Sequence, residues 1–158
     1  MAYDARTIAN EFLKIADNAG RKLTNMQLQK LVYIAHGYTL AILHDPLIDQ
    51  SVEAWRYGPV IEALYKTLRQ YGAGQVTDPI PTPFKEQVPE DARAIISTVY
   101  EAYSRFSGPQ LSTMTHKAGT PWAQVYDPKA FYNQDIPNPL IERYYVDLLN
   151  DRRGITPA

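Results

Sequence analysis

The chain has 158 residues and a formal net charge of −1, enough for one domain with a sizeable core and without the overall basic character of a nucleic-acid binder. It has no cysteine, which excludes disulfides and thiolate metal sites and fits a reducing cytosol. The opening MAYDARTIANEF is acidic and mixed, with no basic segment leading into an apolar run, so no secretory signal is expected and the location expected is cytoplasmic.

In chain order, Asp4 can cap a first helix to about Asn18, with Ile8, Phe12, Ile15 and Ala16 on one face and Gly20 ending it. Thr24 and Gln27 have the spacing of a capping box, and Leu23 and Leu28 that of a hydrophobic staple. The helix they start runs to about His44. Its apolar residues cover nearly the whole circumference, so it is expected to be buried on several sides. Gln27, Gln29, Lys30 and His36 interrupt it too often for a membrane span.

Asp45-Pro46 ends that helix, and residues 47–55 read as one or two short extended segments, a small β-hairpin-like element. Gly58-Pro59 reads as the start of a third helix, with Val60, Ile61, Leu64, Tyr65, Leu68 and Tyr71 at helical spacing and Gly72 closing it. A proline-rich strap, 73–89, follows. It reads as a surface crossing or a partner-binding segment.

Glu90 and Asp91 suit the first turn of a helix to about Phe106. Gly108-Pro109 starts a shorter helix to about Lys117. Pro121-Trp122 opens a short helical turn, and residues 133–137 read as a turn. Asn138-Pro139 starts a last helix, and 151–158 is expected to be a flexible tail. The sum is a mainly α single compact domain over residues 1–150, of about six helices with the small β element near 47–55.

The chemistry-bearing residues are sparse. His36, His44 and His116 do not form a ligand set at zinc spacing, and no cofactor is expected. Ser112, Thr115 and His116 share one helix, but no nucleophile elbow accompanies them. With Glu53, Thr115 and His116 define the alternative reading, a small-ligand-binding protein or hydrolase-like enzyme, provided the three line one cleft. Lys30 and Glu53 are costly to bury alone and are expected to pair, to bond backbone, or to contact a partner. Trp55 and Tyr57 are either core residues or interface anchors. The backbone donors at 59–62 could receive an acidic group. No helix carries the basic stripe of a recognition helix, so nucleic acid is not an expected partner.

Three strings in order then carry a resemblance: Leu28-Gln-Lys30-Leu31-Val-Tyr33, Glu53-Ala-Trp55-Arg-Tyr57-Gly58-Pro59-Val60, and Leu111-Ser112-x-x-Thr115-His116 followed by Pro121-Trp122. Together they resemble the Panacea domain of SocA-like and GepA-like antitoxins of bacteria and prophages, over roughly residues 7–148. His36-Gly37-Tyr38 stands where many relatives carry Gln-Gly-Trp, which keeps a large aromatic. The resemblance implies a non-enzymatic protein that neutralises a toxin encoded by a neighbouring gene through direct contact. In one branch it implies an adaptor delivering the toxin to a cytosolic unfolding protease. It points to Lys30, Tyr33, Glu53, Trp55, Tyr57, Gly58, Pro59 and Val60 as partner-binding candidates.

Overall fold

A computed structural model describes the backbone of residues 2–155 and the side chains through residue 151. Helix α1 (Ala5–Asn18) starts as expected, with the Asp4 carboxylate accepting the Arg6 N–H at 2.9 Å. The Arg6 guanidinium also bonds Asp4 and holds its carboxyl below the usual range. Helix α2 (Asn25–Leu43) opens on the reciprocal capping box of Thr24 and Gln27 and ends at His44 in the left-handed conformation.

Helix α2 is the centre of the molecule. Its buried residues run without a break from Leu28 to Ala41, because α1, α4, α5 and α7 all pack on it. Those partners are α4 (Glu90–Tyr103), α5 (Gly108–His116) and α7 (Asn138–Ile155). The closest approach is at Gly37, where an added Cβ would stand 2.3 Å from ring atoms of Tyr145 on α7. Around this point Tyr38 and Tyr145 meet edge to face at 4.8 Å, and the Tyr38 and Tyr103 hydroxyls bond at 2.8 Å.

His36 joins three parts of the chain from inside the core, where it is 0% exposed. Its Nδ1 accepts the N–H groups of Leu47 and Ile48 at 3.2 and 3.4 Å. The proton is therefore on Nε2, which donates to Asn138 Oδ1 at 3.0 Å. One ring thus pins the chain after α2 and the start of α7.

The small β element is present, with one strand inside the expected span and its two partners outside it. Strand β1 (Val52–Trp55) pairs antiparallel with β2 (Gly58–Val60) on one side and with β3 (Gln134–Ile136) on the other. Gly58-Pro59 therefore belongs to a strand and does not begin a helix. Gly58 has φ 121°, a conformation that excludes a helical start and suits glycine. Pro59 sits on an edge strand, where a missing donor is tolerated. The third helix is correspondingly short, α3 (Glu62–Leu68), continued by a 3-10 turn at Arg69–Tyr71. The stretch 133–137, expected as a turn, supplies β3.

The second Gly-Pro behaves as expected. Ser107 caps α5 in a capping box with Gln110, and Pro109 lies in the first turn. A short helix α6 (Pro121–Val125) follows.

The strap is tied to α1 and to the start of α2. The Asn10 amide bonds both the N–H and the C=O of Ile80 at 2.8 Å. Glu86 accepts from the Asp4 N–H and the Thr7 hydroxyl, and the Val76 N–H donates to the Leu23 carbonyl. Helix α7 continues to Ile155, so of the tail expected at 151–158 only residues 156–158 lie past it, outside the described residues. No described helix is long and apolar enough to cross a membrane.

Candidate functional site

The three strings that carry the resemblance meet at one place, the β1–β2 hairpin and its seat on α2 and α5. Four side chains clamp the hairpin backbone. The Gln29 amide accepts the Ile61 N–H at 2.9 Å and donates to the Ile61 carbonyl. Lys30 Nζ donates to the Pro59 carbonyl at 2.8 Å. The Ser112 hydroxyl donates to the Tyr57 carbonyl at 2.6 Å, and the Trp122 indole to the Trp55 carbonyl at 2.6 Å. An orphaned carbonyl at any of these points would cost about 1–3 kcal/mol, so the clamps fix the hairpin's pose.

Lys30 is 3% exposed, and its ammonium lies 3.0 Å from where a Cβ on Gly58 would stand. Burial pulls its pKa down to about 7 from the ordinary lysine value of 10.5. The unfolded chain therefore holds a proton that the folded chain lacks between about pH 7 and 10.5. Lys30 accordingly contributes stability that is present at high pH and is lost as pH falls towards 7, by at most about 1.4 kcal/mol per pH unit. Urea midpoints measured near pH 7 and near pH 9.5 should rise more with pH in the native chain than in Lys30→Met. Equal changes in the two proteins would place the amine in water.

The candidates divide sharply by position. Lys30, Tyr33, Gly58 and Pro59 are inside, and Tyr33 packs edge to face on Tyr145. Glu53, Trp55 and Val60 are half-buried on the outer face of the sheet, while Val52 and Ala54 point into the core. Glu53 accepts the Trp55 indole N–H at 2.8 Å and does not hold Lys30. Trp55 meets Tyr65 edge to face at 4.8 Å. Tyr57 is 63% exposed at the hairpin tip, with the Arg56 guanidinium over its ring.

Two residues that sequence reasoning passed over belong to the same end of the sheet. The register pairs Ala54 with Gln134, and carried two residues on it sets Arg56 level with Tyr132. Phe131 is fully exposed and Tyr132 is 73% exposed. Their sequence signal was two adjacent aromatics in a turn between Pro128 and Pro137. On the outer face, Glu53 also stands directly opposite Asp135. Like charges in that position repel, and a cation placed over them would relieve the repulsion.

The arrangement lacks the geometry that the alternative reading required. The Thr115 hydroxyl donates to the Leu111 and Ser112 carbonyls of its own helix. His116 Nδ1 is bonded to the Ser112 carbonyl, and its ring packs on Trp122. Thr115 lines a groove between α4, α5 and α7 that neither His116 nor Glu53 lines. The donors at 59–62 do not form an anion site either, since Pro59 has none, the Ile61 N–H is taken by Gln29, and α3 begins only at Glu62.

Comparison with known proteins gives two matches. The family described as "Antitoxin SocA-like, Panacea domain" matches residues 28–123. The Antitoxin SocA of Caulobacter vibrioides (strain NA1000 / CB15N) is 31% identical over 131 residues, covering 75% of this chain and 68% of that protein. No solved structure matches.

Proposed function

The chain belongs to the SocA-like, Panacea-domain antitoxin family, and from that premise we propose that it is the antitoxin of a toxin–antitoxin pair, acting without catalysis. It neutralises a protein toxin encoded by a neighbouring gene, by direct contact in the cytoplasm. The observation that carries the contact surface is that Trp55 and Tyr57 stay at the surface of a hairpin clamped from below, with Tyr65 of α3 packed beside Trp55. Aromatic side chains on a rigid support are the usual anchors of protein interfaces. Phe131 and Tyr132 extend the surface, and the Glu53–Asp135 pair favours a toxin that brings lysine or arginine. The buried motif residues Lys30, Gly58 and Pro59 serve the contact indirectly, by fixing the hairpin, and Tyr33 does so by packing the core between α2 and α7.

The experiment is co-expression. Each neighbouring open reading frame is induced alone and then with this chain. One frame should arrest growth, and this chain should restore it. Rescue with the toxin level unchanged means neutralisation by cover; rescue with the toxin depleted means delivery to a protease. Growth arrest by no neighbour, or arrest that this chain does not relieve, would remove the antitoxin role.

A further inference from the structure

The groove between α4, α5 and α7 is separate from the sheet surface and has its own chemistry. It encloses about 420 Å³, within the range of small-molecule sites. Tyr103, Phe106, Tyr144 and Tyr145 give it aromatic walls, and Ile34 and Leu148 are among its apolar residues. Arg105 and Lys117 stand at its edge, and no carboxylate lines it. Among the described residues neither cation has an ion-pair partner, although the chain as a whole is slightly acidic.

The ends of α4 and α5 would normally offset those cations with unpaired carbonyls. Three carbonyls just past those ends are already bonded. The Ser104 carbonyl accepts from Arg21, that of Phe106 from Gln27, and that of Lys117 from the Thr120 hydroxyl. The groove offers aromatic surface and positive charge, with no carboxylate among its lining residues. That combination suits a flat aromatic group joined to an anionic one.

We propose that this groove binds a small aromatic anion of the nucleoside-phosphate class, its ring among Phe106, Tyr144 and Leu148 and its phosphate on Arg105 and Lys117. Helix α5 forms one wall through Met114 and Thr115 and also holds the hairpin through Ser112, so an occupant sits directly behind the proposed docking surface.

Calorimetric titration of the full chain with AMP, ATP, adenosine and inorganic triphosphate tests the idea. Saturable binding of the nucleotides is expected, weakened about tenfold or more in Arg105→Glu/Lys117→Glu and abolished in Ala102→Trp, which fills the groove. Circular dichroism and Tm show whether each variant is folded, and competition by Met114→Trp binding curves gives a second filled groove if Ala102→Trp is not. Adenosine should bind more weakly than AMP, and triphosphate alone more weakly than ATP. Absence of nucleotide binding at millimolar concentration would overturn the proposal. So would binding unchanged in every folded variant, or triphosphate binding as tightly as ATP. Loss of toxin binding in these variants, without nucleotide binding in the native chain, would make the groove a protein contact instead.

Discussion

Replacing His36 with leucine should lower Tm by about 10 °C. The substitution keeps bulk in the core but leaves the Leu47 and Ile48 N–H groups and the Asn138 side chain without the ring that satisfies them. Asn138 is exposed and can turn to water, but the two buried N–H groups at about 1–3 kcal/mol each put the loss at roughly 3–4 kcal/mol, and a domain of this size loses about 2–4 °C per kcal/mol. The same geometry sets a pH dependence. Burial, which strips water from the charged ring, lowers the His36 pKa below its ordinary 6.5 against the opposing bond to Asn138, and a proton on Nδ1 would also face two donors. The unfolded chain then takes up a proton before the folded one as pH falls. Stability contributed by neutral His36 is complete above about pH 6.5 and is lost on acidification below it. Thermal melts from pH 7.5 to 5.0 should show a fall in the native protein that is much shallower in His36→Gln. A Tm of His36→Leu within 2 °C of the native value would show that the ring does not hold these segments together.

Gly37→Ala is the second large effect. Three ring atoms of Tyr145 lie 2.3–2.9 Å from the added Cβ, and that ring is buried and wedged among Tyr33, Tyr38 and Tyr144. It cannot swing away as an exposed side chain would. Overpacking of this kind costs about 3 kcal/mol, and the better helix propensity of alanine returns about 1. The net is about 2 kcal/mol, read as a Tm lower by roughly 4–8 °C. Gly37→Val should be worse. Tyr145→Leu in the Gly37→Ala background should recover part of the loss, since it removes the ring that the Cβ meets. No recovery would mean that the strain lies in α2 itself.

The helices were legible where their signals are local. Asp4, and the Thr24–Gln27 pair, satisfy backbone donors within three residues of themselves, so spacing alone reveals them. The unbroken apolar surface of α2 likewise announced a helix surrounded by others. Gly58-Pro59 and Gly108-Pro109 look alike in sequence yet fold differently, and the reason is only partly local. Ser107 and Gln110 cap the second, whereas the first follows exposed Tyr57 and is held extended by Gln29, Lys30 and Ser112, which are distant in the chain. Strand β3 was hidden for the same reason: three residues become a strand only through pairing with β1.

The site was legible as a set of strings and illegible as a surface. That Lys30 needed a partner followed from the apolar helix carrying it. That the partner is the Pro59 carbonyl and not Glu53 depends on how the hairpin docks. Periodicity cannot say which faces of a four-residue strand look outward, and it does not reach Phe131 and Tyr132, which lie in no regular element.

On the proposed function, the inner motif residues hold the hairpin while the exposed aromatics Tyr57, Phe131 and Tyr132 at that end of the sheet meet the toxin. The direct measurement is the dissociation constant of the purified pair for the native chain and for Tyr57→Ser/Phe131→Ser/Tyr132→Ser. These three side chains are exposed, so Tm should stay within about 2 °C of native, while affinity should fall about 30-fold or more, as expected when even one interface anchor is removed. Unchanged affinity in a folded triple variant would place the toxin on another face.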